Sequence, residues 1–383
     1  MIFITHFFEP EIGAASQRIS ALANRMVEDG ENLLILTTVP SHRIVKKIKF
    51  FEKKSNIRIV RFPIFQNSSN SKFLRLLSMV NFGFYIILMI PFLIFLNHKR
   101  IFVQGHPLIS SFISIFIFKK LLFKKIILNV SDLWPKSGLE LEVFQKNIFY
   151  SLLKKLERFN YINSDLIITQ SEESKIYINK IVNNKKIFVF YNVPRSNFKK
   201  KEFFNTQKII IIYGGLLGHA QNILATCKNL EFTSSKLEFH IYGEGSQKKE
   251  IRNYIESNNK EYIFLNNFIS PKELDKKLQK SDIGLVQLKK RIHGALPSKL
   301  FHYLNLNLPV IFIGEGEASE IIEKNNFGWS FKNNNYKNIN NVLKKIIANK
   351  NELNSVIDRI NTDFKVKYNY ENQYERLKKN LFL

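Results

Sequence analysis

The sequence has very little cysteine and no obvious targeting segment. Its 383 residues include a single cysteine, Cys227, so no intrachain disulfide can form, as is typical of proteins from a reducing cytoplasm. Residues Met1–Glu9 contain no basic region and no small-residue cleavage site, which argues against a secretory signal peptide and favours a first β-strand. We therefore expect a cytoplasmic protein.

The sequence also lacks the motifs of several functional classes. It has no Gly-x-Gly-x-x-Gly fingerprint, no Walker A loop and no nucleophile elbow, so a dinucleotide cofactor, P-loop chemistry and α/β-hydrolase chemistry are not indicated. No cluster of His, Cys and carboxylates has metal-ligand spacing, and no aspartates are spaced Asp-x-Asp. We expect neither a bound metal nor a cofactor.

Negative charge is scarce. The chain has 58 Lys and Arg against 32 Asp and Glu, a formal net charge of +26. Part of this bias, with the abundant Phe, Ile and Asn, matches A/T-rich codons. The other part is physical, because such a charge attracts polyanions. No helix-turn-helix, RNA-binding signature or zinc spacing is present, so nucleic acid is not expected. An anionic membrane surface and phosphorylated substrates remain as partners.

One segment lacks charge altogether. Leu76–Asn97 is long enough to span a bilayer, but Ser78, Asn81, Gly83 and Pro91 interrupt its apolar character. A buried or membrane-grazing helix is the favoured interpretation, and a transmembrane helix is the alternative. We expect a peripheral protein at the inner face of the plasma membrane, held electrostatically through the region Lys72–Arg100.

The first half of the chain alternates apolar β-rich runs with helical stretches. The expected strands are Met1–Thr5, Asn32–Thr37, Ile57–Phe62, Arg100–Val103, Lys125–Val130 and Asp165–Thr169. The expected helices are Ser16–Asp29, Leu108–Phe123 and Phe144–Ile162. This alternation predicts a parallel sheet covered by helices on both faces.

The same alternation restarts in the second half. The expected strands are Lys208–Tyr213, Leu237–Tyr242, Tyr262–Leu265, Ile283–Val286 and Val310–Ile313. The expected helices are Pro271–Lys280, Ser298–Leu304, Ala318–Asn325, Tyr336–Ile347 and Glu371–Leu381. The predicted fold class is therefore α/β, with two tandem Rossmann-like domains whose parallel sheets face a cleft.

The length suits two domains. The polar, basic segment Val193–Gln207, with Pro194 and three consecutive lysines, is the predicted linker. We expect an N-terminal domain over residues 1–195, a C-terminal domain over 206–360 and a terminal helical segment over 361–383.

Two motifs follow strands of the predicted first domain. Gly13 and Ala14, between the first strand and first helix, let backbone N–H groups approach an anion at the helix start, unless they form only a tight turn. Asp132 and Trp134 follow the fifth strand. Asp132 is a candidate base or acceptor-hydroxyl partner, or else a helix N-cap. Trp134 either stacks on a sugar or packs under the loop.

Two glycine turns follow strands of the predicted second domain. In Tyr213–Gln221, Gly215 and Gly218 present backbone donors suited to a diphosphate, and His219 and Gln221 are candidate side-chain donors. His219 as an ordinary helix-start residue is the alternative. Gly243 opens the other turn, at the end of Leu237–Tyr242.

A further motif, Gly294–Leu304, places Ser298 as a predicted N-cap and Lys299 in the first helical turn. A cation there opposes the helix dipole. A bound phosphate would offset this unfavourable interaction, so Lys299 is a candidate phosphate ligand. The alternative is that Lys299 is an exposed lysine without a partner.

These motifs together resemble glycosyltransferase family four, of the GT-B fold, nearest the branch with the fucosamine transferases of O-antigen and capsule assembly. The resemblance runs through five stretches in order, which are Phe8–Arg18, Ser131–Ser137, Gly215–Gln221, Tyr242–Gly245 and Leu296–Phe301. It implies a retaining, metal-independent transfer from a nucleotide diphosphate sugar, UDP rather than GDP, with an N-acetylated amino or deoxy hexose as donor. It also implies a polyprenyl-diphosphate-linked glycan as acceptor and a final helix, Glu371–Leu381, that crosses back to the first domain.

The resemblance assigns roles by position. Asp132 and Lys299 are the implied catalytic residues, and Arg18 joins the acceptor-side loop with Gly13, Ala14 and Trp134. The implied donor-binding residues are Gly215, Gly218, His219, Gln221, Gly243, Ser298, Lys299, His302 and Glu317.

The sequence departs from this family at one point. Two glutamates eight positions apart read the donor sugar and the ribose in the family, whereas this chain has Gly294 and His302 there. His302 could take over the ribose contact, and Glu315 or Glu317 could replace the sugar-reading carboxylate. Two other functions stay open: a catalytically silent relative that binds or scaffolds polysaccharide precursors, and a sugar-nucleotide epimerase of the same architecture.

Overall fold

The chain forms two compact units in a computed structural model that describes residues 1–11, 13–40, 48–63, 72–195, 208–232 and 236–381, without the side chains of 72–79. The first unit comprises Met1–Asn192, Ile292–Ala295 and Gln373–Leu383. The second comprises Val193–Arg291 and Leu296–Asn372. Residues 196–207, most of the predicted linker with its three lysines, lie outside the described part.

The first unit is built on one sheet. Its described strands are β1 (Ile2–Ile4), β2 (Leu33–Thr38), β3 (Phe51–Lys54), β4 (Ile57–Phe62), β5 (Arg100–Gln104), β6 (Lys125–Val130), β7 (Leu166–Thr169) and β8 (Ile187–Val189). The order is β3-β4-β2-β1-β5-β6-β7-β8. All neighbours pair in parallel except β3 with β4.

Helices connect these strands. They are α1 (Ala14–Glu28), α2 (Lys72–Leu88), α3 (Ile90–Leu93), α4 (Leu108–Ile115), α5 (Lys136–Glu140), α6 (Ile148–Ile162) and α7 (Glu172–Ile181). Right-handed crossovers β4–α2–β5, β5–α4–β6 and β6–α6–β7 all run in one direction across the sheet, so α2, α4 and α6 share a face. α2 packs on α4 and α4 packs on α6 accordingly. α1 returns the other way and lies on the opposite face.

The second unit repeats the plan. Its described strands are β9 (Ile209–Gly214), β10 (Leu237–Tyr242), β11 (Ile263–Asn266), β12 (Ile283–Gln287), β13 (Val310–Ile313) and β14 (Gly328–Phe331), in the order β11-β10-β9-β12-β13-β14 and parallel throughout.

The later helices are α8 (Ile223–Asn229), α9 (Lys248–Ser257), α10 (Pro271–Gln279), α11 (Ser298–Asn305), α12 (Glu317–Asn325), α13 (Tyr336–Ala348), α14 (Asn351–Arg359), α15 (Lys365–Lys367) and α16 (Tyr370–Leu381). From Gln373 onward α16 belongs to the first unit. Its Tyr374 and Lys378 both bond to Asp29 at the end of α1.

Near-continuous apolar strands explain both sheets. Strands such as β13 and β9 are buried along nearly their whole length because helices cover both faces of a parallel sheet. The core of the second unit centres on isoleucines of β9, β10, β12 and β13, and that of the first on β1, β5, β6 and the helices beside them. The predicted α/β class with two predominantly parallel sheets is confirmed.

Two expected helices differ in detail. The stretch Leu108–Phe123, predicted as one helix, is α-helical to Ile115 and π-helical from Phe116 to Leu121. The helix predicted from Phe144 begins only at Ile148, because Asn147 caps it by accepting a hydrogen bond from the Tyr150 N–H at 3.0 Å. Through the described residues, no helix combines the length and the apolarity that a membrane crossing requires.

Candidate functional site

Polar side chains at the carboxyl ends of β5 and β6 form a network with α1. The Arg18 guanidinium donates to Asn129 Oδ1, Asn129 Nδ2 donates to Gln104 Oε1 at 2.8 Å, and Gln104 Nε2 donates to Ser131 Oγ at 3.0 Å. Arg18, Asn129 and Gln104 are buried. Ligands bind beyond the carboxyl ends of strands in open parallel sheets, and this network fixes a guanidinium there.

Asp132 lies next to this network. Its side chain reaches the surface but is crowded by protein atoms, and this desolvation raises the pKa of its carboxyl, while the Arg18 charge acts in the opposite direction. The N-cap alternative for Asp132 is wrong, because α5 begins four residues later, at Lys136, and Pro135 occupies the N-cap position. The carboxylate is therefore available to a ligand.

Trp134 packs under its loop. Its ring stacks on the His106 ring with centroids 4.9 Å apart and contacts Phe144 at 5.7 Å. Burial lowers the pKa of His106 to about 4, and burial with the nearby His106 charge lowers that of His6 to about 3. His6 and His106 line a small pocket beside the ends of β1 and β5, and both rings are neutral at physiological pH.

Hydrogen bonds with Arg61 and Ser20 fix the loop before α1. The buried Arg61 donates to the Glu9 carbonyl at 2.7 Å, and Ser20 Oγ accepts the Glu9 N–H at 3.1 Å. Gly13 has extended backbone, and a Cβ there would meet no atom within 4 Å. The first turn of α1, which contains Ala14, is therefore open to an approaching group.

In the second unit, the two glycine turns interlock. Gly215 has φ +144°, and a Cβ on Gly243 would lie 1.9 Å from the Gly215 carbonyl oxygen. The N–H groups of Gly215 and Leu217 donate to the carbonyls of Tyr242 and Glu244, both at 2.8 Å. Our expectation that the whole stretch Gly215–Gly218 donates to a diphosphate is wrong for these two amides, because the neighbouring turn already takes them.

The rest of the turn faces outward. α8 begins only at Ile223, so His219 is exposed in a turn rather than at a helix start. The buried Oε1 of Gln221 has no hydrogen-bond partner among the described residues, and Gly218 lies directly against it. Gln221 Oε1 is an acceptor, so a ligand group that donates a hydrogen bond would satisfy it.

The Lys299 amine lies against this turn. Its Nζ is 3.3 Å from the Tyr213 hydroxyl and 4.8 Å from that ring's centroid. A Cβ on Gly215 would come within 2.7 Å of Nζ, so the glycine makes room for the amine. Burial lowers the Lys299 pKa to about 8. The structure thus brings together a glycine turn and a cation predicted from separate motifs.

α11 differs in one respect from expectation. The helix begins at Ser298, and Pro297 occupies the N-cap position, so the prediction of Ser298 as N-cap is wrong. Pro297 has extended backbone and directs the chain into the helix without a side-chain cap. One turn after Lys299, His302 Nε2 lies 2.7 Å from Asp275 Oδ1 of α10. Glu317 opens α12, beyond the carboxyl end of β13.

Gly294, which the resemblance places where the family has its donor-sugar glutamate, is hydrogen-bonded within the first unit. Its N–H donates to Glu173 at 2.8 Å, and its carbonyl accepts from Ser171 at 2.8 Å. The neighbouring His293 makes two bonds to Glu140. At φ +74°, a Cβ here would lie 2.2 Å from Ser174 Oγ. A glutamate does not fit at this position, which explains physically why the motif departs here.

Sequence reasoning missed some partners at the site. Gln104 is the last residue of β5 and Asn129 the next-to-last residue of β6, and a polar residue near the carboxyl end of a buried strand was the available signal. Asp275 and Glu140 carried no such signal, because their partners are distant in sequence. Within the part of the chain the structure describes, no three His, Cys, Asp or Glu side chains form a metal-binding group.

Comparisons with known proteins identify relatives of this chain. Residues 194–362 match the family described as Glycosyl transferases group 1. The probable glycosyltransferase WbjE of Pseudomonas aeruginosa is 23% identical over 224 residues, which are 54% of this chain and 56% of that protein. The chain therefore matches little more than half the length of this relative.

Solved structures share the fold. HepE of Anabaena in complex with UDP has a TM-score of 0.72 at 10% identity, covering 99% of this chain and 98% of that one. WaaG, a glycosyltransferase involved in lipopolysaccharide biosynthesis, has a TM-score of 0.70 at 9% identity and covers 98% of each chain. The chain thus has the GT-B fold, and its residues 194–362 match the model of the Glycosyl transferases group 1 family.

Proposed function

We propose that the protein is a retaining, metal-independent glycosyltransferase that moves a sugar from a UDP-sugar to a lipid-linked saccharide in bacterial surface polysaccharide synthesis. The donor sugar in this proposal is an N-acetylated amino or deoxy hexose. The acceptor is a polyprenyl-diphosphate-linked glycan at an anionic membrane surface.

The main support for the proposal is the position of the Lys299 amine, which lies against the glycine turn that follows β9. When the bond between the anomeric carbon and the diphosphate oxygen breaks, its electron pair stays on the diphosphate. A fixed ammonium beside that oxygen stabilises the developing charge, and the Tyr213 hydroxyl at 3.3 Å holds the amine in place. UDP in HepE and the lipopolysaccharide role of WaaG support the choice of nucleotide and product class.

Backbone donors complete the diphosphate site. The N–H groups of Gly215 and Leu217 donate to the neighbouring turn, and those of Gln221 and Asn222 donate to the Gly218 carbonyl. The amides of Gly218, His219 and Ala220 and the Nε2 donor of Gln221 are therefore the ones assigned to the phosphate oxygens. His302, held by Asp275 at 2.7 Å, is assigned to the ribose. Glu317, at the start of α12, is assigned to the donor sugar.

Asp132 is assigned to the acceptor. Its carboxylate accepts a hydrogen bond from the acceptor hydroxyl and orients that oxygen toward the anomeric carbon. The departing diphosphate takes the hydroxyl proton as the new bond forms on the same face. Arg18, buried and hydrogen-bonded to Asn129, supplies positive charge near Asp132.

A donor panel tests the proposal. The purified protein is incubated with UDP- and GDP-sugars, with and without a short water-soluble diphosphate-linked glycan and with excess chelator. We expect UDP release coupled to a glycosylated acceptor with retained anomeric configuration, unaffected by the chelator. Conversion of the nucleotide sugar without an acceptor would show an epimerase, and binding without turnover a silent relative.

A further inference from the structure

One long part of the first unit has no negative charge. Residues 53–131 contain twelve Lys and Arg and no Asp or Glu. This stretch forms β4, β5, β6 and the helices α2, α3 and α4. The helical layer on one face of the sheet is therefore bordered mainly by cations, of which Lys119 pairs with Asp165 from outside this stretch.

The outward side of α2 is apolar. Val80, Phe84, Ile87 and Leu88 are exposed and recur at helical spacing on one side, whereas Phe82 and Ile86 are buried on the other. The apolar surface continues beyond the helix in Phe92, 68% exposed, and Phe95, 87% exposed. A surface helix normally turns polar residues outward, and contiguous exposed apolar surface marks an interaction site.

Cations border this apolar surface. Arg100 pairs with Lys125 across β5 and β6, and the Lys125 N–H donates to the Lys99 carbonyl at 3.0 Å. The loops before these two strands are therefore adjacent. The second loop adds Phe123, 86% exposed, between Lys120 and Lys124.

We propose that this apolar–basic face, comprising the exposed residues of 80–99 and 120–125, docks onto an anionic lipid bilayer. The inference rests on the proposed function, because a lipid-linked acceptor places the enzyme at a membrane. Aromatic side chains enter the interface between head groups and acyl chains, while the surrounding lysines attract anionic head groups. A protein partner fits less well, since lysine is depleted from protein interfaces.

The aromatic part of this face lies at the amino-terminal edge of the sheet, because Phe92, Phe95 and Phe123 belong to the segments that lead into β5 and β6. Asp132 follows β6 at the carboxyl-terminal edge. Docking of the face therefore leaves the edge with Asp132 uncovered, and no membrane span is required.

Vesicle flotation of the full-length protein tests the face. Vesicles of phosphatidylcholine alone are compared with vesicles that also contain phosphatidylglycerol. We expect the protein to float with the anionic vesicles only. Phe92→Ser with Phe95→Ser should reduce partitioning at least tenfold, and Lys120→Gln with Lys124→Gln about fivefold per charge removed.

Matched variants control for composition and net charge. Phe51→Ser removes a phenylalanine 76% exposed on the edge strand β3, and Lys276→Gln with Lys277→Gln removes two exposed lysines of α10. Both controls should float like the unchanged protein. The inference is overturned if that protein stays in the soluble fraction with anionic vesicles, or if the face variants and controls float alike.

Two further readouts separate this inference from the proposed function. Light scattering measures the oligomeric state. If the unchanged protein is a dimer and the Phe92/Phe95 variant a monomer, the face binds a second copy of the chain and the proposal of bilayer docking is overturned. Transfer to the water-soluble acceptor should be equal in all variants. Flotation without any transfer in the unchanged protein would refute the proposed function while leaving the face established.

Discussion

The charge of the Lys299 side chain makes the proposed transfer dependent on pH. Its pKa of about 8, lowered by burial, means that the amine is charged below pH of about 8 and loses its charge above it. If the ammonium stabilises the leaving diphosphate, kcat/KM should fall on the alkaline side with an apparent pKa near 8. A pH–rate profile measures this directly.

The Lys299→Arg variant sharpens that test. A guanidinium stays charged throughout the accessible range, so the alkaline limb should move upward even if kcat falls because the geometry has changed. Lys299→Ala should lower kcat at every pH. An alkaline limb that stays in place in the Arg variant would assign the titration to another group.

Gly294 shows why one family position cannot be restored. With φ +74° and Ser174 Oγ 2.2 Å from the position of a Cβ, Gly294→Ala should destabilise the protein by about 2 kcal/mol through backbone strain and overpacking. Gly294→Glu should cost more. Urea unfolding gives the free-energy change.

The control for Gly294 is another glycine of the same unit. A Cβ at Gly13 meets nothing within 4 Å and its backbone is extended, so Gly13→Ala should leave the unfolding midpoint nearly unchanged. Equal midpoints for the Gly294 and Gly13 variants would contradict the steric argument.

At the level of elements, the last helix is fixed to the first by one carboxylate. Asp29 at the end of α1 accepts from the Tyr374 hydroxyl at 2.8 Å and from Lys378 Nζ at 2.7 Å, and it pairs with Arg25. Its side chain is only 14% exposed. Burial alone would raise its pKa, but the bonds from Lys378, Arg25 and Tyr374 prevail and lower it to about 2.

This pKa predicts an acid-sensitive contact. A folded-state pKa of about 2 against an unfolded value of 3.8 contributes about 2 kcal/mol of stability. That contribution is complete above pH of about 4 and disappears as the pH falls toward about 2. Asp29→Asn should therefore lose stability at neutral pH and show a flatter acid limb in unfolding measurements.

An exposed ion pair of the same unit provides the comparison. Glu172 lies 3.4 Å from Lys175 with its side chain 51% exposed, and such pairs contribute between about 0 and 1 kcal/mol. Glu172→Gln should leave both the neutral stability and the acid limb almost unchanged. The same acid limb in Asp29→Asn as in the unchanged protein would refute the assignment.

The elements predictable from sequence are those with a strong apolar pattern. Ile57–Phe62, Lys125–Val130 and Val310–Ile313 are predicted with their observed bounds. Val310–Ile313 is a continuous apolar run of the kind that buried parallel strands need, whereas Ile57–Phe62 carries two arginines between its apolar residues. β3, Phe51–Lys54, escaped prediction because an exposed edge strand of mostly charged residues has no such run. β14 escaped because it is short and only half buried.

Site contacts were less predictable than elements. The glycine turn and Lys299 were recognisable separately, but the fact that Gly215 and Leu217 donate to the next turn depends on how β9 pairs with β10. Likewise His302 was singled out, whereas its partner Asp275 becomes visible only once α10 and α11 pack together. Short-range pattern thus identifies candidate residues, and tertiary packing decides which atoms remain for a ligand.

At the level of the whole molecule, the two units differ in how the chain builds them. The second unit is one continuous stretch, residues 193–372, apart from Ile292–Ala295. The first unit needs three separate segments, including the end of α16. Gly215, Gly218, Lys299 and His302, all assigned to the nucleotide donor, belong to the second unit.

We therefore expect a fragment of residues 193–372 to fold and to bind UDP without the rest of the chain. Lys299→Ala in this fragment should weaken UDP binding about tenfold or more, since a hydrogen bond to a charged group contributes about 1.5–3 kcal/mol. Calorimetry with UDP and with uridine measures this, because uridine has no diphosphate and should bind both fragments equally. Lys276→Ala, an exposed lysine of α10, is the matched control. If the fragment folds and Lys299→Ala leaves its affinity for UDP unchanged, Lys299 does not contact the diphosphate. The electrostatic basis of the proposed transfer would then be refuted.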